Sequence, residues 1–108
     1  MPDKLRLHVE KFLLALGSLL REARISRKKT QEQLAREAQI DRSYVSMIER
    51  GLANPRIHIP IRMADALGVS ASSIFRQAEL QATGAATRGP ASGPSRTAKT
   101  GSRPDSKV

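Results

Sequence analysis

The stretch from Thr30 to Gly51 constrains the fold more than any other part of the chain. Thr30 and Gln33 have the spacing of a capping box, in which the hydroxyl serves the Gln33 amide and the Gln33 side chain reaches back. Leu34, Ala35 and Ala38 then fall on one face of a helix that starts after Thr30. Gln39-Ile40-Asp41 reads as a tight turn, with Asp41 the N-cap of a second helix. In that helix Val45 and Ile48 share the inward face, and Gly51, just past Arg50, supplies a left-handed C-cap. Two short helices joined by a turn leave little choice but to pack against further helices.

The flanking segments supply them. Leu5, Val9, Phe12, Leu16 and Leu20 follow the i, i+4, i+7, i+11, i+15 spacing of one helix face. Pro2 and Asp3 suit a helix start, so a first helix is expected from about Lys4 or later to Arg24. Leu5, Leu7 and Val9 also alternate, as a short strand would. Ile57, Ile59 and Ile61 alternate too, but Pro60 fits a first helical turn, so a fourth helix is expected over Pro60 to Leu67, ended by Gly68. Ser70 caps a last helix that packs through Ile74 and Phe75 and fades by about Gln81. The expected architecture is a compact all-α five-helix domain over residues 1–80, with an N-terminal helix extension over 1–11.

Composition changes near residue 80. Across residues 81–108 the apolar side chains are Ala and the terminal Val, amid Gly, Pro, Ser and Thr. Such a segment buries too little apolar surface to offset its ordering entropy, so a disordered tail is expected. The tail is basic, with Arg88, Arg96, Lys99, Arg103 and Lys107 against Asp105. It either adds phosphate attraction or keeps the protein soluble.

The whole chain of 108 residues carries 19 Lys/Arg against 10 Asp/Glu, a formal charge of +9. That balance points to a polyanionic partner, nucleic acid first and an anionic membrane surface second. There is no cysteine, hence no disulfide and no thiolate metal site. His8 and His58 lie far apart, so neither a metal nor another cofactor is expected. The apolar run from Phe12 to Leu20 is about half the ~18 residues that span a bilayer, and Asp3 and Glu10 interrupt any secretory signal. A cytoplasmic location without membrane contact is expected.

A helix-turn-helix lays its second helix in the DNA major groove while the first crosses the backbone. With Val45 and Ile48 inward, the open face of that second helix shows Arg42, Ser43, Ser46, Met47 and Arg50. Arg42 suits a bidentate bond to guanine, Ser43 and Ser46 suit several bases or phosphates, and Met47 suits a thymine methyl or, alternatively, the core. Gln31 begins the first helix of the pair, where free amides and the dipole attract phosphate. Tyr44 either bonds a phosphate oxygen or packs.

Taken together, Leu20-Arg21…Arg24, Thr30-Gln31-Glu32-Gln33-Leu34-Ala35, Ser43-Tyr44-Val45-Ser46-Met47-Ile48-Glu49-Arg50-Gly51, Asn54-Pro55 and Ala64-Asp65-Ala66-Leu67-Gly68-Val69-Ser70 resemble the phage repressor and Cro family, also called the xenobiotic-response-element family. The resemblance covers about Leu16 to Phe75 and implies a lambda-repressor-like fold. It implies phosphate bonding by Gln31 and base contacts from Arg42, Ser43 and Met47, to which the open helix face adds Ser46. It places Arg50, Asn54 and Arg56 at the DNA backbone, with Arg56 near the minor groove; Thr30 and Tyr44 are expected as further backbone contacts from their own positions. It pairs Arg24 with Glu49 as a structural brace, and it implies homodimers on near-palindromic double-stranded DNA.

Three positions depart from the family pattern. Lys28 stands where a glycine is usual, Lys29 replaces the apolar residue before the cap, and Ile59 replaces a threonine cap. Lys28 and Lys29 are expected to add to phosphate attraction instead. The leading expectation is a sequence-specific transcription regulator: a phage-type repressor, a restriction–modification controller, or an antitoxin with a partner protein. A protein-interaction adaptor on the same fold is the alternative. No Cys–His pair, paired acids in a cleft, metal cluster or phosphate-binding glycine loop argues for an enzyme.

Overall fold

A computed structural model describes residues 3–84, and the expected tail lies outside them from residue 85 onward. Five helices follow one another: α1 (Asp3–Ser26), α2 (Gln31–Ala38), α3 (Arg42–Glu49), α4 (His58–Ala66) and α5 (Ala71–Thr83). No strand occurs among the described residues. The alternation of Leu5, Leu7 and Val9 therefore belongs to α1, where Leu5 and Leu7 are about half exposed at 51% and 52%. α1 is also longer than expected at both ends.

α1 is the spine of the domain. It packs along α5 and across α3, while α2 packs on α3 and α4. Leu16 and Leu20 of α1 are buried with Leu34 of α2, Val45 and Ile48 of α3, Met63 of α4, Leu67 just past α4, and Ala78 of α5. Phe12 meets Phe75 with ring centroids 6.5 Å apart and planes tilted by 49°, closing the α1–α5 contact. Burying each large aliphatic chain contributes roughly 1.5–3 kcal/mol before ordering costs. Ala15, Ala35, Ala38 and Ala64 are buried between the helices.

The capping signals translate directly. Thr30 Oγ1 accepts from Gln33 N at 3.0 Å and Gln33 Oε1 accepts from Thr30 N at 2.7 Å, a complete capping box. Asp41 and Ser70 cap α3 and α5. α4 is different: it begins at His58, two residues before Pro60, and its N-cap Ile57 has no side-chain bond. Proline is tolerated there because first-turn amides lack intrahelical partners in any case. Ile57 and Ile61 consequently share an exposed helical side and Ile59 turns toward the core, so the alternation of these isoleucines reflects no strand.

Four helices end in one hydrogen-bond pattern, and its positive-φ residue is not always glycine. After α1, Lys29 N donates to Arg24 O and Lys28 N to Ile25 O, with Lys28 at φ 58°. After α2, Ile40 N donates to Ala35 O, with Gln39 at φ 61°. After α3 and α4 the corresponding residues are Gly51 and Gly68, at φ 73° and 69°. Lys28, standing where a glycine is usual, thus carries left-handed strain, and Gln39 carries the same strain in the turn between the paired helices.

Gly17 sets how closely α1 and α3 approach. A Cβ added there would press on the Ile48 carbonyl oxygen and stand 2.8 Å from that of Glu49. Gly17→Ala should therefore force α1 off the end of α3 and destabilise the fold by about 1–3 kcal/mol, measured by urea unfolding. Lys28→Gly should act in the opposite sense. Relief of left-handed strain should raise stability by up to about 1 kcal/mol, seen as an increase in Tm.

Candidate nucleic-acid interface

α3 divides cleanly into two faces. Val45, Ile48 and Glu49 are buried. Arg42, Ser43, Met47 and Arg50 are exposed and Ser46 is half-buried. Positions 42, 43, 46, 47 and 50 form a continuous stripe along the helix. Met47 is 39% exposed, so it stays on the open face and does not fill the core. Tyr44 is half-buried and packs against the core from the edge of the stripe. Arg42 and Arg50 have no ion-pair partner among the described residues, which leaves both guanidinium groups uncommitted.

The start of α3 is organised by Asp41. Its carboxylate accepts from Ser43 N at 2.9 Å and also from the Ser43 hydroxyl. These Ser43 bonds, the hydroxyl's first, hold the Asp41 carboxyl below its ordinary pKa. The sign follows: the cap contributes to stability above the ordinary carboxylate range and loses that contribution as pH falls through the depressed value. Because the Ser43 proton is committed to Asp41, its hydroxyl oxygen presents lone pairs outward as an acceptor.

A charged network behind the stripe joins three helices. Arg24 Nε donates to Glu49 Oε2 at 2.7 Å and Arg24 Nη2 to Glu49 Oε1 at 3.0 Å. Arg24 Nη1 donates to the Lys29 carbonyl at 2.8 Å, and Gln31 Nε2 to Glu49 Oε1 at 3.0 Å. The side chains of Arg24 and Glu49 are 12% and 1% exposed. Gln31 is thereby brought to the end of α3, while Thr30 remains exposed beside it. Asn54 and Arg56 are exposed in the connection between α3 and α4.

Lys29 does not join this surface. Its Nζ donates to Glu37 at 2.5 Å and to the Ala66 carbonyl at 3.0 Å, so it ties α2 to the end of α4. The expectation that Lys29 adds to phosphate attraction is corrected accordingly. The lysine works as a strut whose charge is largely answered, in a place where an apolar staple would otherwise sit. Its role and the left-handed Gln39 leave the faintest trace in the amino-acid order. A lysine eight residues before a glutamate spans a helix start and gives no periodic signal.

Among the described residues no group of three or more His, Cys, Asp and Glu is placed to hold a metal, and no helix is long and apolar enough to cross a membrane. Removing one side of the buried pair should be severe. Arg24→Met leaves Glu49 charged, buried and short of donors, and should destabilise the domain by about 3–5 kcal/mol in chemical denaturation.

A helix-turn-helix family profile matches residues 20–74, from within α1 to the start of α5. An immunity repressor protein of Bacillus phage phi105 is 37% identical over 67 residues, a match covering 62% of this chain and 46% of that protein. The chain thus spans less than half the length of that curated relative. The restriction-modification controller protein C.AhdI from Aeromonas hydrophila is 36% identical with a TM-score of 0.57, covering 58% of this chain and 96% of that one. The clp gene regulator ClgR from Corynebacterium glutamicum is 27% identical with a TM-score of 0.61, covering 65% and 90% of the two chains. With the profile spanning the capped helix pair, its turn and its braced core, the chain belongs to the helix-turn-helix family of the phage-repressor, or xenobiotic-response-element, type.

Proposed function

We propose that the protein is a sequence-specific DNA-binding transcription regulator that places α3 in the major groove. One observation carries this reading: the stripe Arg42, Ser43, Ser46, Met47 and Arg50 lies on an open helix face whose reverse packs into the core. A rigidly seated helix with short and flexible polar groups near its N-terminus fits base-edge recognition. Arg42 binds guanine, Ser43 accepts from an exocyclic amine of adenine or cytosine, and Ser46 and Met47 complete the base contacts. Gln31, Thr30, Tyr44, Arg50, Asn54 and Arg56 hold the phosphate backbone.

Two copies bind one near-palindromic operator, with half-sites about one helical turn apart. The net charge of +9 supplies the sequence-independent part of the affinity. Relatives named as an immunity repressor, a restriction-modification controller and a gene regulator support a regulatory rather than an enzymatic role. The protein acts in the cytoplasm, and a partner protein or its own concentration sets its activity.

The test is selection of bound sites from random duplex DNA, followed by affinity measurement across a salt series. Binding should weaken by orders of magnitude between low and physiological salt, and the recovered site should be two-fold symmetric. Binding that ignores salt points instead to an adaptor. Arg42→Ala should relax base preference at one position of each half-site, with about 1–3 kcal/mol of discrimination lost there. An unchanged site profile would remove Arg42 from the reading face.

A further inference from the structure

Gln31 differs from the other residues expected at the interface, because its side chain is anchored to a buried group. Its Nε2 bonds Glu49 Oε1 at 3.0 Å, the oxygen that also takes Arg24 Nη2 at 3.0 Å. A carboxylate only accepts, so the edge of the Gln31 amide turned toward Glu49 is its NH2 edge. One N–H is committed in this way, and the other has no partner among the described residues. Glu49 cannot swing to release the amide. Its side chain is 1% exposed and is clamped by the two-pronged Arg24 fork, which in turn is held to the Lys29 carbonyl at 2.8 Å.

We propose that Arg24 and Glu49 are positioning residues for DNA binding, fixing the Gln31 amide so that its remaining N–H is presented to a phosphate. This rests on the reading of the domain as DNA-binding and of Gln31 as a phosphate ligand. Two physical effects act together. A side chain already held in place loses no rotamer freedom when DNA arrives. Arg24 also cancels the charge of Glu49, which would otherwise repel a phosphate bonded to the neighbouring amide. Because Glu49 belongs to the reading helix, the phosphate grip of α2 and the base-reading stripe of α3 are held in one register.

The discriminating variant is the double substitution Arg24→Met/Glu49→Leu in the full chain. Replacing both members of a buried pair by apolar residues of similar size leaves no orphan charge and preserves stability. It removes the anchor of Gln31 and nothing on the open face of α3. Affinity for a mixed-sequence duplex at fixed low salt is compared for the wild type, Gln31→Ala, the double variant and the triple variant. Gln31→Ala should weaken binding roughly tenfold, the worth of one hydrogen bond to a charged group. The double variant should lose a similar factor, and adding Gln31→Ala to it should change affinity less than about twofold.

Independent, multiplying losses overturn the positioning role, as does a double variant that folds and binds like the wild type. Loss of all duplex binding by the wild type itself overturns the DNA-binding reading, and this proposal with it. A second measurement needs neither DNA nor variants. In the free protein the side-chain amide of Gln31 should show an NMR order parameter near that of rigid backbone, about 0.85, while exposed Gln77 is far more mobile. Equal mobility of the two amides overturns the proposal whatever the affinities show.

Discussion

The ion pair between Arg24 and Glu49 is the constraint on which the rest of this domain depends. A carboxylate buried to 1% exposure must be answered by donors, and here every donor comes from elsewhere in the chain. Arg24 arrives from the end of α1 and Gln31 from the start of α2. The bonds tie α1, α2 and α3 to one another at a single point. The pair adds little to stability compared with an apolar replacement, since desolvation offsets most of its attraction. What it does is penalise every other arrangement. Gly17 works in the same direction, because the absent Cβ lets α1 pass close against the end of α3.

The helix ends show how a small domain tolerates strain where geometry demands it. Helices α1 to α4 turn out through left-handed residues, and the two turns that set the orientation of α2 and α3 use Lys28 and Gln39 instead of glycine. Two of the carbonyls left open at each of these helix ends find a donor in the turn, which offsets part of the cost of a side chain at positive φ. A glycine there would relieve the strain but enlarge the conformations open to the unfolded chain, so the second effect offsets only part of the first.

Net charge is a poor map of where this protein meets its partner. Arg24 and Lys29 count toward the net charge just as Arg42 and Arg50 do, yet they face inward or sideways onto Glu49, Glu37 and backbone carbonyls. Arg42 and Arg50 on α3 and Arg56 in the connection after it are left open, as are other exposed cations such as Lys11, Arg21, Arg36, Arg62 and Arg76. Charge alone therefore does not single out the stripe on α3; the shape and open side chains of that helix do.

Much of this was legible in the amino-acid order because it depends on local chemistry. Thr30 with Gln33, Asp41, Gly51, Gly68 and Ser70 marked helix ends through bonds made within a few residues, and the spacing of Leu16, Leu20, Val45 and Ile48 marked the buried faces. Where local signals conflicted, the sequence misled. The isoleucines around Pro60 alternate like a strand, and only packing of Ile59 and Met63 into the core settles a helix that begins at His58. The sequence by itself thus determined the helix pair, its caps and the stripe offered outward on α3. The tertiary structure alone decided that Lys29 is a strut, that Gly17 is a contact point, and that Gln31 is anchored to Glu49. Those three depend on residues distant in sequence meeting in space, and no pattern of neighbours encodes such a meeting.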